Sequence, residues 1–97
     1  MLFVGLTLSL DFDDTYTRDP AFWDSFIELA KKKGHRVYCV TLRHPQESAD
    51  VMNALQNKVE KIFCTGRKSK RAFTRELGIH IDIWIDDMPF FIDHDVT

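Results

Sequence analysis

A chain of 97 residues has room for one domain (1–97) and a modest core; at this size folding hides only about 60–65% of the surface that the unfolded chain exposes. Hydrophobic residues at 44% and charged residues at 29% match a folded globular protein and exclude a disordered chain. A net charge of −2 is not that of a strong polyanion binder, yet the charges are segregated, with acids crowded into 11–24 and 82–95 and bases into 31–36 and 67–75. Separate acidic and basic clusters can hold a metal beside an anion, or can be solvated surfaces; Lys31–Lys33 read as the latter.

The opening MLFVGLTLSL carries no basic stretch and no small-residue cleavage site. It is too short to span a bilayer, so a buried strand in a cytoplasmic protein is expected, with no membrane partner. Leu6–Leu10 is that strand. Asp19 and Pro20 then make a helix start, as N-cap and first-turn proline. Phe22, Trp23, Phe26, Ile27 and Ala30 follow on one helical face. Lys31–Lys33 complement the dipole of the last turn, and Gly34 supplies a left-handed close.

Val37–Thr41 is a second buried strand. The stretch from Pro45 to about Asn57 is a weaker helix with Met52, Leu55 and Val59 inward. Lys61–Thr65 is a third strand, and Ser69–Leu77 a short helix stopped by Gly78. Ile79, Ile81, Ile83 and Ile85 alternate with His80, Asp82 and Trp84 as a strand does. Trp84, Phe90 and Phe91 read as core. Cys39 and Cys64 lie in apolar runs without ligand spacing and read as buried, reduced thiols. Strands and helices alternating in this way predict an α/β fold with a parallel sheet and helices on both faces.

What ends each apolar run carries the functional signal. The first is followed by Asp11, Asp13 and Thr15, the second ends at Thr41 with Arg43 beyond, the third leads to Arg67, Lys68 and Lys70, and the fourth ends at Asp86 and Asp87. In a parallel α/β sheet these positions share the carboxyl edge, where ligands bind. Facing carboxylates repel unless a cation lies between them. Oxygen-only donors suit Mg²⁺, which also binds phosphate oxygens. A lysine, a threonine hydroxyl and loop N–H groups can hold a tetrahedral anion. A carboxylate in line with phosphorus can attack it.

The run L-S-L-D-F-D-D-T resembles the D-x-D-x-T motif of the haloacid dehalogenase (HAD) superfamily of phosphohydrolases. Thr41 resembles its second motif, a lysine within Arg67–Arg71 its third, and W-I-D-D-M-P its fourth. The resemblance implies a three-layer Rossmann-like fold with four strands in the order 3-2-1-4. It implies a Mg²⁺-dependent phosphatase acting on phosphate monoesters through an aspartyl-phosphate. Asp11 would be the nucleophile and a metal ligand. Asp13 would be the acid–base residue, its backbone carbonyl on the metal. Thr41 would hold the phosphoryl oxygens, and Lys70, ahead of Lys68, would balance charge. Asp87 would ligate Mg²⁺ directly, and Asp86 would bind through water or orient Asp87. Thr15, Arg43 and Lys68 are candidate substrate contacts.

Asp13 favours phosphatase over dehalogenase chemistry, because a dehalogenase has no leaving oxygen to protonate. Response-regulator receivers use similar residues in another order. Neither gap between the motifs has room for the cap that most members carry, so the site is expected to be open. Capless members suggest a macromolecular phosphate such as a nucleic-acid end, or a cap supplied by oligomerisation; a nucleotide is the smaller alternative. A fifth strand is expected to be absent or vestigial. The rival reading is a HAD-like module, catalytically weak or inactive, that binds phosphate or a protein partner.

Overall fold

A computed structural model describes residues 3–97. β1 (Thr7–Leu10), β2 (Arg36–Thr41), β3 (Ile62–Cys64) and β4 (Ile83–Ile85) form one parallel sheet in the order β3-β2-β1-β4. The helices are α1 (Pro20–Lys32), α2 (Ala49–Leu55), α3 (Lys70–Glu76) and the short α4 (Phe90–Asp93). The strand order is the expected one, and it sets β1 and β4 side by side. Among the described residues no helix is long and apolar enough to cross a membrane.

Pleating divides the side chains between two faces. Leu8 and Leu10 of β1 and Val37 and Cys39 of β2 join Ile27 and Ala30 of α1 and Val51 and Leu55 of α2 in one core. Leu10, Val51 and Leu55 are fully buried, each hiding apolar surface worth about 1.5–3 kcal/mol. The opposite face carries Ser9, Val40 and Phe63, and α3 meets it through Phe73, whose ring lies 6.2 Å from that of Phe63. α1 begins where expected: the Asp19 carboxylate accepts the Phe22 N–H at 3.2 Å with Pro20 behind it. It ends at Gly34, whose φ of +88° suits a residue without a Cβ.

Several expectations need correction. The stretch from Pro45 is a 3₁₀ turn (Pro45–Glu47) followed by α2, not one continuous helix. The Glu47 carboxylate accepts the His44 N–H at 2.9 Å and caps the start of that turn, and α2 begins anew at Ser48, whose carbonyl accepts the Met52 N–H. The alternating isoleucines form a strand only over Ile83–Ile85. Asp82 spends its carboxylate on the Thr7 N–H at 2.8 Å, where a ladder carbonyl would otherwise sit, and pairing starts after it. Nor is the aromatic cluster near the C-terminus core: Phe90 is 61% exposed, while Phe91 and Trp84 are half-buried. Residues after β4 form α4 and a tail, with no fifth strand among the described residues. Cys39 is buried, Cys64 half-buried, and both are free thiols.

Candidate active site

β1 delivers Asp11 directly. Its N–H donates to the Ile85 carbonyl at 3.0 Å, extending the β1–β4 ladder by one residue. The chain then turns sharply: the N–H groups of Thr15 and Thr17 return to the Phe12 carbonyl and that of Tyr16 to the Asp11 carbonyl. Asp14 closes the turn at φ +62°, a conformation that a short polar side chain tolerates. The loop is sorted by burial. Asp11, Phe12, Thr15 and Tyr16 are buried, with Phe12 stacked on Tyr16 at 5.8 Å, whereas Asp13 and Asp14 face solvent.

Lys70 is the lysine that reaches Asp11. As the first residue of α3 it is only 2% exposed. Its Nζ donates to Asp11 Oδ1 at 2.8 Å and to Asp86 Oδ2. Ser69 caps the helix by accepting the Ala72 N–H. The tail fixes that cap from outside, for Asp95 accepts the Ser69 N–H at 2.6 Å and the Ile92 carbonyl accepts the Ser69 hydroxyl at 2.8 Å. The preceding loop is tied to β2: Gly66 and Arg67, both at positive φ, donate to the carbonyls of Arg43 and Leu42. Lys68 points no charge at the cluster. It is exposed and has no ion pair among the described residues.

One oxygen each from Asp11, Asp86 and Asp87 lie within 4.8 Å of one another. The Thr15 hydroxyl stands between two of these groups, 3.0 Å from Asp11 Oδ2 and 3.2 Å from Asp87 Oδ1. Asp86 is fully engaged, with Lys70 on Oδ2 and the Met88 N–H on Oδ1. Asp87 is exposed and keeps an oxygen without a protein donor. Three carboxylates thus face a single ammonium. Burial pushes the Asp11 carboxyl up to about 7, even though Lys70 pulls it down. Burial works against the Lys70 ammonium too, but Asp11 and Asp86 outweigh it and raise its pKa. The excess negative charge and the hard oxygen donors are what a divalent cation such as Mg²⁺ would satisfy.

Asp11, Asp13, Thr41, Lys70, Asp86 and Asp87 line one cavity of about 150 Å³ at the carboxyl edge, together with Met88 and Phe91. That is well below the roughly 300–1,000 Å³ typical of small-molecule pockets, and suits one tetrahedral group. Thr41 is buried, and its Oγ1 accepts the Arg43 N–H at 3.3 Å. The apolar depression between α1 and β4 has no carboxylate in its lining.

Arg43 does not point freely into this cavity. Its guanidinium grips Asp13 with two bonds of 2.8 and 3.0 Å, donates to the Glu47 carbonyl at 2.9 Å, and lies 3.6 Å from Asp50. The Asp13 contacts hold the Arg43 pKa above its ordinary value. Two sequence-predicted site residues are therefore partners of each other, a pairing across 30 positions that no local pattern reveals. Asp95 is the residue that sequence reasoning missed. Its place on the far side of Ser69 leaves no local trace.

Comparison with protein families, curated proteins and solved structures finds no match to this chain.

Proposed function

We propose that this protein is a Mg²⁺-dependent phosphatase of the HAD type, hydrolysing phosphate monoesters through an aspartyl-phosphate on Asp11. The observation that carries the reading is Lys70 Nζ set between Asp11 and Asp86, with Asp87 alongside, where β1 and β4 end. Helices α1 and α2 on one sheet face and α3 on the other fit the three-layer arrangement of that superfamily. The free thiols suit a reducing compartment such as the cytoplasm.

Asp11 and Asp87, with the Asp13 carbonyl and Asp86 through water, would hold the ion. When bound, Mg²⁺ neutralises charge on the carboxylates and on the phosphoryl oxygens. A carboxylate oxygen of Asp11 forms the bond to phosphorus as the bond to the leaving oxygen breaks. Asp13 gives that oxygen its proton. A water then attacks phosphorus, Asp13 takes its proton, and the bond to Asp11 breaks to release phosphate. Lys70 stays charged throughout and offsets the negative charge on Asp11 and the transferring group. The Thr41 hydroxyl positions the phosphoryl oxygens, and positioning is most of the catalysis in phosphoryl transfer. Asp13 is free to act only when Arg43 has turned from it, and the substrate phosphate is a competing partner for that guanidinium.

The test is hydrolysis of a generic aryl phosphate with and without Mg²⁺, on the natural chain and on Asp11→Asn. The expected result is Mg²⁺-dependent turnover that Asp11→Asn brings to the no-enzyme background. Turnover that survives the substitution would overturn the covalent mechanism. Phosphate binding without any turnover would favour the binding-module reading.

A further inference from the structure

The loop that carries Asp11 runs from the end of β1 to a 3₁₀ turn, Tyr16–Arg18, that leads into α1. The Tyr16 N–H donates to the Asp11 carbonyl at 3.2 Å, so this turn closes on Asp11 itself. Beyond Asp11, three side chains of the loop are tied to other elements by hydrogen bonds among the described residues. Asp13 holds Arg43, Thr15 reaches Asp87, and Tyr16 reaches Asp24. The first two ties belong to the chemistry proposed above. Asp13 leaves Arg43 in order to move a proton, and the Thr15 hydroxyl stands between two carboxylates that would turn to the ion. The third tie lies apart from it, since Tyr16, Asp24 and Lys58 are outside the carboxylate cavity.

That third tie is a closed polar triad. Tyr16 is 4% exposed, and its ring stacks on Phe12. Its hydroxyl donates to Asp24 Oδ1 at 2.7 Å and accepts from Lys58 Nζ at 3.3 Å. The same ammonium donates to Asp24 Oδ2 at 3.0 Å, so each member bonds both others. Asp24 comes from α1, and Lys58 from the segment just after α2. That segment is itself held, because the Lys58 carbonyl accepts from Lys31 Nζ at 3.1 Å. A buried phenol needs one partner. This one has two charged partners from two elements, which makes both bonds stronger than neutral ones and fixes the ring in its own plane. Burial, with Asp24 as acceptor, pushes the Tyr16 phenol above its ordinary value, so it stays a donor at neutral pH.

We infer that Tyr16 is a positioning residue for Asp11, and that the Tyr16–Asp24–Lys58 triad is the fixed point of the loop while Asp13 and Thr15 change partners. The inference rests on the phosphatase reading above. In such a step a misplacement of about 1 Å is costly, and groups behind the ligands set the geometry of a metal site. The path from the triad is short. It runs through the Tyr16 N–H to the Asp11 carbonyl, and through the neighbouring Thr15 hydroxyl to Asp11 Oδ2 at 3.0 Å. Stacking on Phe12 needs no hydroxyl, so Tyr16→Phe separates the triad from the core.

The test compares the full natural chain with Tyr16→Phe, Asp24→Asn and their double variant. Val37→Ala is the control, a fully buried core residue of β2 away from the loop. Titration with Mg²⁺ alone, followed by NMR, reads metal affinity. Amide hydrogen exchange without metal reads the loop, and aryl phosphate hydrolysis reads kcat and KM. Tyr16→Phe is expected to weaken Mg²⁺ binding and to lower kcat by about tenfold each, with KM unchanged. The Thr15, Tyr16 and Thr17 N–H groups should exchange faster. Asp24→Asn should do the same, and the double variant should be no worse than either single one, because the triad acts as a unit. Val37→Ala should lower the melting temperature at least as far and leave Mg²⁺ affinity and kcat as they were. Mg²⁺ affinity unmoved by Tyr16→Phe, or moved as far by Val37→Ala, would overturn the positioning role. Turnover through Asp11 in that case leaves the phosphatase reading standing. Weakened Mg²⁺ binding in Tyr16→Phe, with no ester turned over by any chain, would support the positioning role and sink the phosphatase reading.

Discussion

The site contains two ion-pair groups built on different terms. Lys70, Asp11 and Asp86 form a buried set in which the lysine side chain is 2% exposed and the carboxylates 8% and 4%. Arg43 and Asp13 form a bidentate pair at the rim, with side chains 24% and 50% exposed. Water screens the rim pair, so it is cheap to break and can exchange partners during a reaction. The buried set cannot lose its one ammonium without leaving carboxylate charge uncompensated in the interior. Fixed charge therefore lies inside the cavity, and movable charge at its rim.

Removing the ammonium gives the largest contrast. Lys70→Met leaves Asp11, Asp86 and Asp87 facing one another, and is expected to cost about 3–5 kcal/mol of stability as breaking a buried pair does. Thermal unfolding without metal reads this, and part of the loss is expected to return on adding Mg²⁺. Activity should be absent in both conditions.

Asp11→Asn acts in the other direction. In the folded chain burial lifts the Asp11 pKa to about 7, from an ordinary 3.8. A folded pKa raised in this way means that the Asp11 contribution to stability is full below the unfolded pKa and is lost as the pH rises through the folded one. Metal-free protein should lose stability between about pH 4 and pH 7, and Asp11→Asn should lack that part of the slope. Metal has to displace the same proton. Mg²⁺ is therefore expected to raise the melting temperature more at about pH 8 than at about pH 5.5.

The rim pair gives the smallest effect. A double-mutant cycle on Arg43→Ala and Asp13→Ala should return a coupling of about 1 kcal/mol or less in stability, falling with salt. The same substitutions should differ in kinetics. Asp13→Ala is expected to lower kcat most for poor leaving groups, which need its proton, and Arg43→Ala to raise KM. A coupling as large as that of the buried set would erase the distinction between the two groups.

Much of this arrangement was legible in the sequence because it is written locally. Each strand is an apolar run, and each run ends in the polar residues that a carboxyl edge presents. The order β3-β2-β1-β4 came with the resemblance, and it puts the acids of the first and last runs side by side. Lys70 could be preferred over Lys68 because it opens the third helix just after Ser69. The Arg43–Asp13 pair was not legible, since it joins two loops that only the folded sheet brings together. Asp95 on Ser69 is of the same kind, a contact across 26 positions. Phe90 illustrates another limit. Its hydrophobicity was plain, but burial depends on what packs over it, and α4 turns it outward. At the start of β4 the Asp82 carboxylate takes a backbone N–H, that of Thr7, a competition that periodicity does not register.

In the proposed mechanism phosphorus is bonded transiently to Asp11. Incubating Asp13→Asn with Mg²⁺ and an aryl phosphate, whose leaving group needs little help from an acid, should let the first step proceed and slow the second. After an acid quench, mass spectrometry is expected to find one added phosphoryl group on the peptide containing Asp11, and none when Asp11 is also replaced by Asn. Continued phosphate release by the Asp11→Asn chain, or a phosphoryl group found on any other residue, would contradict it.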